Sequence, residues 1–286
     1  MSRSFRERVP WWAKLGAKVV LSRLPFSYRR WRSIGIFRHG RMLDPTYAHA
    51  VFERHFRHVR GSVRPGFATL ELGPGDSLAT AFLAAAEGAG TVWLVDTGPF
   101  AEMALDPYRP LLASLGSPAP ANGVGSLGSL LAAANARYLT TGLAALRALP
   151  SDAAELIFSQ AVLEHVSRDE FEPTIRELFR IQAPGGVSSH RIDLRDHLQD
   201  GLNSLRFSRE RWESRLFARS GFYTNRLRAS EVAEIFSCAG FRIRELVADR
   251  WPAPPLPRAR LHPEFARFDD EELRVHGIDL VAEKPA

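Results

Sequence analysis

The sequence predicts an α/β protein: a mostly parallel sheet with helices on both faces. Three observations lead there. From residue 66 onward, short apolar strands alternate with helix-forming runs. A Gly-Pro-Gly turn ends the first of these strands and delivers the chain into a helix. Finally, the chain shows neither an internal repeat nor an apolar run of the roughly 20 residues that span a bilayer.

In chain order, "WWAKLGAKVVLSRL" (11–24) reads as an amphipathic helix. Lys14, Lys18 and Ser22 recur on one face, with Trp12, Leu15, Val19 and Leu24 elsewhere on the wheel. Pro10 suits its entry and Pro25 its exit. A basic, aromatic stretch (26–42) precedes a helix over 45–59, and residues 1–60 are read together as a helical arm or lid. Residues 61–286 form the main domain. "GFATLEL" (66–72) and "TVWLVD" (91–96) are buried strands separated by a helix over 77–88. A Gly/Ala/Ser/Pro-rich stretch (115–129) leads to a third strand (136–141), and "AELIFSQ" (154–160) is the fourth. A helix over 167–181 and a fifth strand over 185–193 follow. An insertion at about 195–228 is too long for a plain connection. A helix over 227–241 and strands over 242–251 and 277–284 close the chain.

Composition narrows the setting. With 286 residues, 45% hydrophobic and 24% charged, the chain can bury a full core. The single cysteine, Cys238, excludes an internal disulfide and fits a reducing compartment. The N-terminus does not resemble a secretory signal, so a cytoplasmic location is expected. Charge is uneven. Residues 1–43 hold eleven Lys/Arg and one acid, Glu7, a net +10 against +6 for the whole chain, which leaves −4 on residues 44–286. A mildly acidic body is no nucleic-acid platform.

The stretch "TLELGPGDSLATAF" asks for a ligand. Gly73 and Gly75 let backbone approach a small molecule closely, at a helix N-terminus with free N–H groups. The dinucleotide fingerprint G-x-G-x-x-G fails, because Leu78 stands at its sixth place. Glu71 and Asp76 crowd the turn, which is awkward for a pyrophosphate and comfortable for the sulfonium and ammonium of S-adenosylmethionine (SAM). Asp96, about twenty residues on, can accept hydrogen bonds from ribose hydroxyls in either class of ligand.

On these residues, and on "VWLVDTG", "AELIFSQAVLEHV" and "IQAPGGVSSH", the chain resembles the class I SAM-dependent methyltransferases over roughly residues 66–190. The resemblance implies a Rossmann-like sheet whose last strand is antiparallel. It implies cofactor contacts from Glu71, Gly73, Pro74 and Gly75, from Asp96 and Thr97, from Thr141, Gly142 and Leu143, and from Ser159, Gln160 and Ala161. An acid near Thr141 that would read the adenine amino group is absent.

Methyl transfer to a hydroxyl needs a base. "LEHV" offers Glu164 and His165, although a histidine there can equally pack locally. "SHRIDLRDH" offers His190, Asp193, Asp196 and His197 beyond the fifth strand, where reactive groups are expected. We expect His190 to be the base, assisted by Asp193, with His165 the other candidate and no resident metal. In the insertion, Arg206, Trp212, Tyr223, Asn225 and Arg226 could stack on a sugar and bond its hydroxyls, or form an ordinary cover. This segment resembles methyltransferases encoded with bacterial surface-polysaccharide assembly, which makes a glycan or its precursor the expected acceptor. A small metabolite or lipid headgroup is the alternative, and a non-catalytic docking protein a further one. The arm (1–42) would serve as a lid or as a peripheral contact with the inner face of a membrane.

Overall fold

A computed structural model describes residues 10–13, 15–16, 41–115, 125–218 and 220–286. Most of the basic arm therefore lies outside the described residues. Of its expected helix, residues 11–13 and 15–16 are helical. Among the described residues no helix is long and apolar enough to cross a membrane.

Helix α1 (Pro45–Phe56) begins where Asp44 accepts from the Thr46 and Tyr47 amides, with proline in its first turn. Then come β1 (Ala68–Leu72), α2 (Ala79–Ala86), β2 (Thr91–Val95), α3 (Arg109–Ser114) and α4 (Leu127–Ala133). The last of these starts inside the Gly/Ser-rich stretch read as a loop, because the Ser126 side chain caps it through the Ser129 amide. Next are β3 (Ala136–Leu139), α5 (Leu143–Ala148), β4 (Ala154–Gln160), α6 (Arg168–Ile181) and β5 (Gln182–Asp193). The insertion holds the short α7 (Arg209–Trp212) and α8 (Arg215–Ala218), and α9 (Ala229–Cys238), β6 (Arg242–Arg250), α10 (Asp270–Arg274) and β7 (Val275–Glu283) complete the chain.

The seven strands run in the order β3-β2-β1-β4-β5-β7-β6. Pairings among β1 to β5 are parallel, and β7 runs antiparallel between β5 and β6. This is the Rossmann-like sheet with an antiparallel last strand that the sequence predicts.

Side chains alternate between two core layers. Leu94, Leu156 and Phe158 join α1 to α4 on one face, through Phe52, Phe56, Leu78, Phe82, Leu111 and Leu127. Val95, Ile157 and Leu280 join α5, α6 and α9 on the other, through Leu146, Ile175, Leu178 and Phe236. Helix α1, grouped by sequence with the arm, is thus part of the sheet's own core. Strand order reverses between β1 and β4, and the carboxyl ends of those strands frame the crevice where such sheets take ligands.

Candidate active site

At the end of β1 the Gly73 amide donates to the Val95 carbonyl at 2.7 Å, tying the turn to β2. Gly73 and Gly75 have φ of 72° and 67°, a region open to glycine and costly for other residues. A Cβ at Gly75 would meet nothing within 4 Å. The carboxylate of Asp96 accepts from the Gly75 amide at 3.0 Å and from the Thr97 amide at 2.7 Å, so the loops after β1 and β2 share one anion. Tyr138 shapes the wall beyond. Its hydroxyl donates to the Gly98 carbonyl (2.9 Å) and accepts from the Phe100 amide (3.0 Å).

These loops enclose a cavity of about 510 Å³. Ten of the predicted cofactor residues line it: Glu71, Gly73, Pro74 and Gly75 after β1, Asp96 and Thr97 after β2, Gly142 and Leu143 after β3, and Gln160 and Ala161 after β4. Thr141 and Ser159 do not. Thr141 is exposed, and Ser159 is buried and bonds His190. Sequence reading missed the wall formed by Met42, Tyr47, Phe100, Ser167, Glu170 and Thr174. Met42 precedes α1 and Tyr47 lies in its first turn, and no motif connects them to the site.

The charge of the lining is one-sided. Among the described residues of the wall, Glu71, Asp76, Asp96 and Glu170 supply four acids, His165 and the Tyr47 phenol are the other titratable groups, and there is no Lys or Arg. Glu71 is fully enclosed and receives the Thr80 hydroxyl, and burial pushes its carboxyl up to about 8. With Glu71 held neutral, the other three acids, Asp76, Asp96 and Glu170, make a lining that suits a cation and opposes a diphosphate. The open Gly75 cradle, the shared Asp96 carboxylate and the acidic wall fit a nucleoside that carries a sulfonium and an ammonium. Ala161, at the end of β4, holds φ of 54°, a strained angle for alanine of the kind found at ligand sites.

His190 is not in this cavity. Successive strand residues face opposite sides, and at this point β5 turns His190 into the layer beneath α9. There its Nδ1 meets Ser159 Oγ at 2.8 Å, its ring packs on Phe236, and Nε2 meets no partner. Burial lowers its pKa to about 3. It cannot take a proton from a bound acceptor. Asp193, three residues on, does not assist it. Burial alone would raise the Asp193 pKa, but the paired Arg195 outweighs this and holds it below the usual carboxylate range. Asp196 caps the following turn by accepting from the Leu198 and Gln199 amides. The four groups of "SHRIDLRDH" thus diverge. Among the described residues no three His, Cys, Asp or Glu side chains gather as a metal set.

His165 does line the cavity. Its Nδ1 lies 3.1 Å from the Tyr223 carbonyl oxygen, and its Nε2 lies 3.3 Å from Nε2 of His197. A carbonyl only accepts, so Nδ1 carries a hydrogen, and in the tautomer this fixes the lone pair of an uncharged ring is on Nε2.

The five insertion residues expected to meet substrate are structural. Trp212 is fully buried among Leu198, Phe217, Phe222 and Tyr223, and its Nε1 donates to the Thr224 carbonyl at 2.7 Å. Tyr223 donates to Glu213 at 2.7 Å. Asn225 donates to the carbonyls of Leu163 and Val166 and so clamps the loop that carries His165. The Arg226 guanidinium lies between the rings of Trp212 and Phe265, 5.1 and 5.0 Å from their centroids. Arg206 stacks on Trp11 at 5.2 Å, and Leu15 joins Trp11 against the same cluster. The insertion spends its aromatic and guanidinium groups on its own small core and on the first turns of the arm.

No family model matches the chain, and neither does any curated protein. Among solved structures it is similar to a 1,6-didemethyltoxoflavin-N1-methyltransferase from Burkholderia thailandensis, solved with S-adenosylhomocysteine. The two are 16% identical over 95% of this chain and 89% of that one, with a TM-score of 0.47. A SAM-dependent methyltransferase from Mesorhizobium loti is similar at 17% identity, over 82% of this chain and 98% of that one, with a TM-score of 0.44. One from Methanosarcina mazei is similar at 14% identity, over 80% and 97%, with a TM-score of 0.46. Likenesses this distant carry nothing beyond the course of the chain.

Proposed function

We propose that this protein is a SAM-dependent methyltransferase. The observation that carries the reading is the cavity at the switch point, whose wall, among the described residues, holds Asp76, Asp96 and Glu170 beside a neutral Glu71 and has no Lys or Arg. When bound, SAM supplies a methyl group on a sulfonium, open to in-line displacement by a lone pair. The protein's part is to align the acceptor and exclude water. We assign Asp96 to accept ribose hydroxyls, the Gly73–Gly75 turn to back the thioether, and Gly142 and Leu143 to flank the base; all of them line the cavity. His165 Nε2 is the group we assign to receive the acceptor's proton, with His197 beside it to share that proton.

The acceptor we propose is a hydroxyl of a surface glycan or its precursor. Support for the glycan comes from the sequence resemblance of the insertion, since its aromatic residues are occupied internally. The membrane role of residues 1–42 stands as a proposal beside it. Among the described residues of this segment, Trp11 and Leu15 face the insertion and Trp12 is 63% exposed, a ring open to a lipid surface. Titration of SAM and of S-adenosylhomocysteine by calorimetry, followed by transfer of labelled methyl to a panel of sugars, amines and lipid headgroups, tests the whole. Micromolar binding together with label on a sugar oxygen is the expected result. Label on amines alone overturns O-methylation, and binding without turnover on any acceptor favours a docking protein. Asp96→Ala should weaken the cofactor at least tenfold, about 1.4 kcal/mol.

A further inference from the structure

We infer that His55 is a positioning residue for the cofactor site: it turns the amide of Gln160 so that the nitrogen faces the cavity, as a donor for the carboxylate of the methyl donor's amino-acid end. The inference rests on the methyltransferase reading and deepens it.

His55 lies on α1, 1% exposed, stacked on Phe158 at 5.2 Å between centroids. Its Nδ1 is 2.9 Å from Ser189 Oγ and its Nε2 is 3.3 Å from Gln160 Oε1. Burial, against the Gln160 bond, lowers its pKa to about 3, so the ring is neutral and has one hydrogen to give. An amide oxygen only accepts, so that hydrogen sits on Nε2, and Nδ1 accepts the Ser189 hydroxyl. The chain Ser189–His55–Gln160 thus has one polarity. With Oε1 held by His55, the opposite side of the amide, its NH₂ group, is left for the cavity that Gln160 lines.

The cavity needs such a donor. Its acids suit the two positive groups of SAM but repel the carboxylate of the same molecule. The hydroxyls of Tyr47, Thr97, Ser167 and Thr174 in the wall can donate or accept, whereas an amide nitrogen only donates. Gln160 ends β4 and lines the cavity, at the strand end that the methyltransferase resemblance assigns to the methionine part of the cofactor. A reversed amide would turn its oxygen on the carboxylate.

The test compares two probes by calorimetry: S-adenosylhomocysteine, which has the amino-acid end, and 5′-methylthioadenosine, which lacks it. Gln160→Met and His55→Leu should each weaken the first about tenfold or more and change the second by less than about twofold. His55→Gln, whose amide can donate to the same oxygen, should restore much of the selectivity. Equal loss of both probes, or no loss of either, overturns the inference. Gln160→Met keeps the test decisive if the buried His55→Leu change unfolds the chain, because Gln160 stands at the cavity wall. If the unaltered protein binds neither probe, the methyltransferase reading itself falls. That outcome is distinct from a wild type that binds both and variants that do not discriminate.

Discussion

Gly73 and Val162 close on one another across the ends of β1 and β4: a Cβ built on Gly73 would collide with both γ-methyl groups of Val162. Gly75, two residues away, has the same handedness of backbone but open space before it. The two glycines should therefore fail differently. Gly73→Ala should cost about 2–4 kcal/mol of stability, from the left-handed backbone and the overpacking together, and should be relieved in part by Val162→Ala. Gly75→Ala should cost about 1 kcal/mol while placing a methyl where the ligand lies. Urea unfolding and a cofactor titration, run side by side, separate the two effects. Equal loss of stability in both variants would contradict this geometry.

The two histidine candidates make a second contrast. His165→Ala should lower kcat by roughly 10²- to 10⁴-fold with the nucleoside affinity kept, the range for loss of a proton acceptor. His190→Asn, in a variant confirmed to be folded, should leave kcat within a few-fold, because the ring lies under α9 and away from the cavity. A large kcat defect in folded His190→Asn would reinstate it as the base.

The small core of the insertion sets a third expectation. Trp212→Ala removes a fully buried ring and strands the Thr224 carbonyl, at about 3–5 kcal/mol. Thermal denaturation should show the loss, while acceptor preference measured on the folded fraction stays as in the parent. A changed acceptor range with unchanged stability would mean that the ring meets substrate after all.

Stability should also depend on pH with two limbs. His55 and His190 are held neutral by burial, at about 3 against an ordinary 6.5, so unfolding takes up protons as pH falls below 6.5. Glu71 and Glu164 are held protonated by burial, at about 8 against an ordinary 4.5, so unfolding releases protons between those values. From 4.5 to 6.5 the two effects oppose each other. Below 4.5 the two glutamates no longer oppose the histidines and stability falls with pH, by roughly 1.4 kcal/mol per unit for each ring, with Asp193, held low by Arg195, adding to the fall below its ordinary 3.8. From 6.5 to 8 the acids act alone and stability falls as pH rises. Denaturant midpoints across pH 3.5–8.5 should form a plateau with two shoulders, and Glu164→Gln should flatten the alkaline one. A maximum near pH 8 would refute the assignment.

What could be read from the chain alone follows from how local each signal is. The alternation of strands and helices, the turn at Gly73–Gly75 and Asp96 at the end of β2 are written in neighbouring residues, and they pointed to the part of the cavity wall that the strand ends form. Strand parity was the limit at the fifth strand: the residues of "SHRID" alternate sides, and only the packing of α9 shows which side His190 takes. The insertion misled for a related reason. Trp, Tyr and Arg suit a sugar or a small core equally well, and Trp212 and Arg226 found partners at Thr224 and Phe265 that no spacing rule ties to them. His55 was invisible as a site residue because Gln160 stands 105 positions away, with nothing between them to mark the pair.

Helix α1 brings His55 against the end of β4, and the residues at its start bring Met42 and Tyr47 into the cavity wall. A shortened protein started at the first strand would retain the glycine turn and the ribose acid. It would nonetheless lose one side of its ligand chamber and the hinge-pin of its amide, so the smallest unit able to hold a nucleoside here must begin upstream of the sheet.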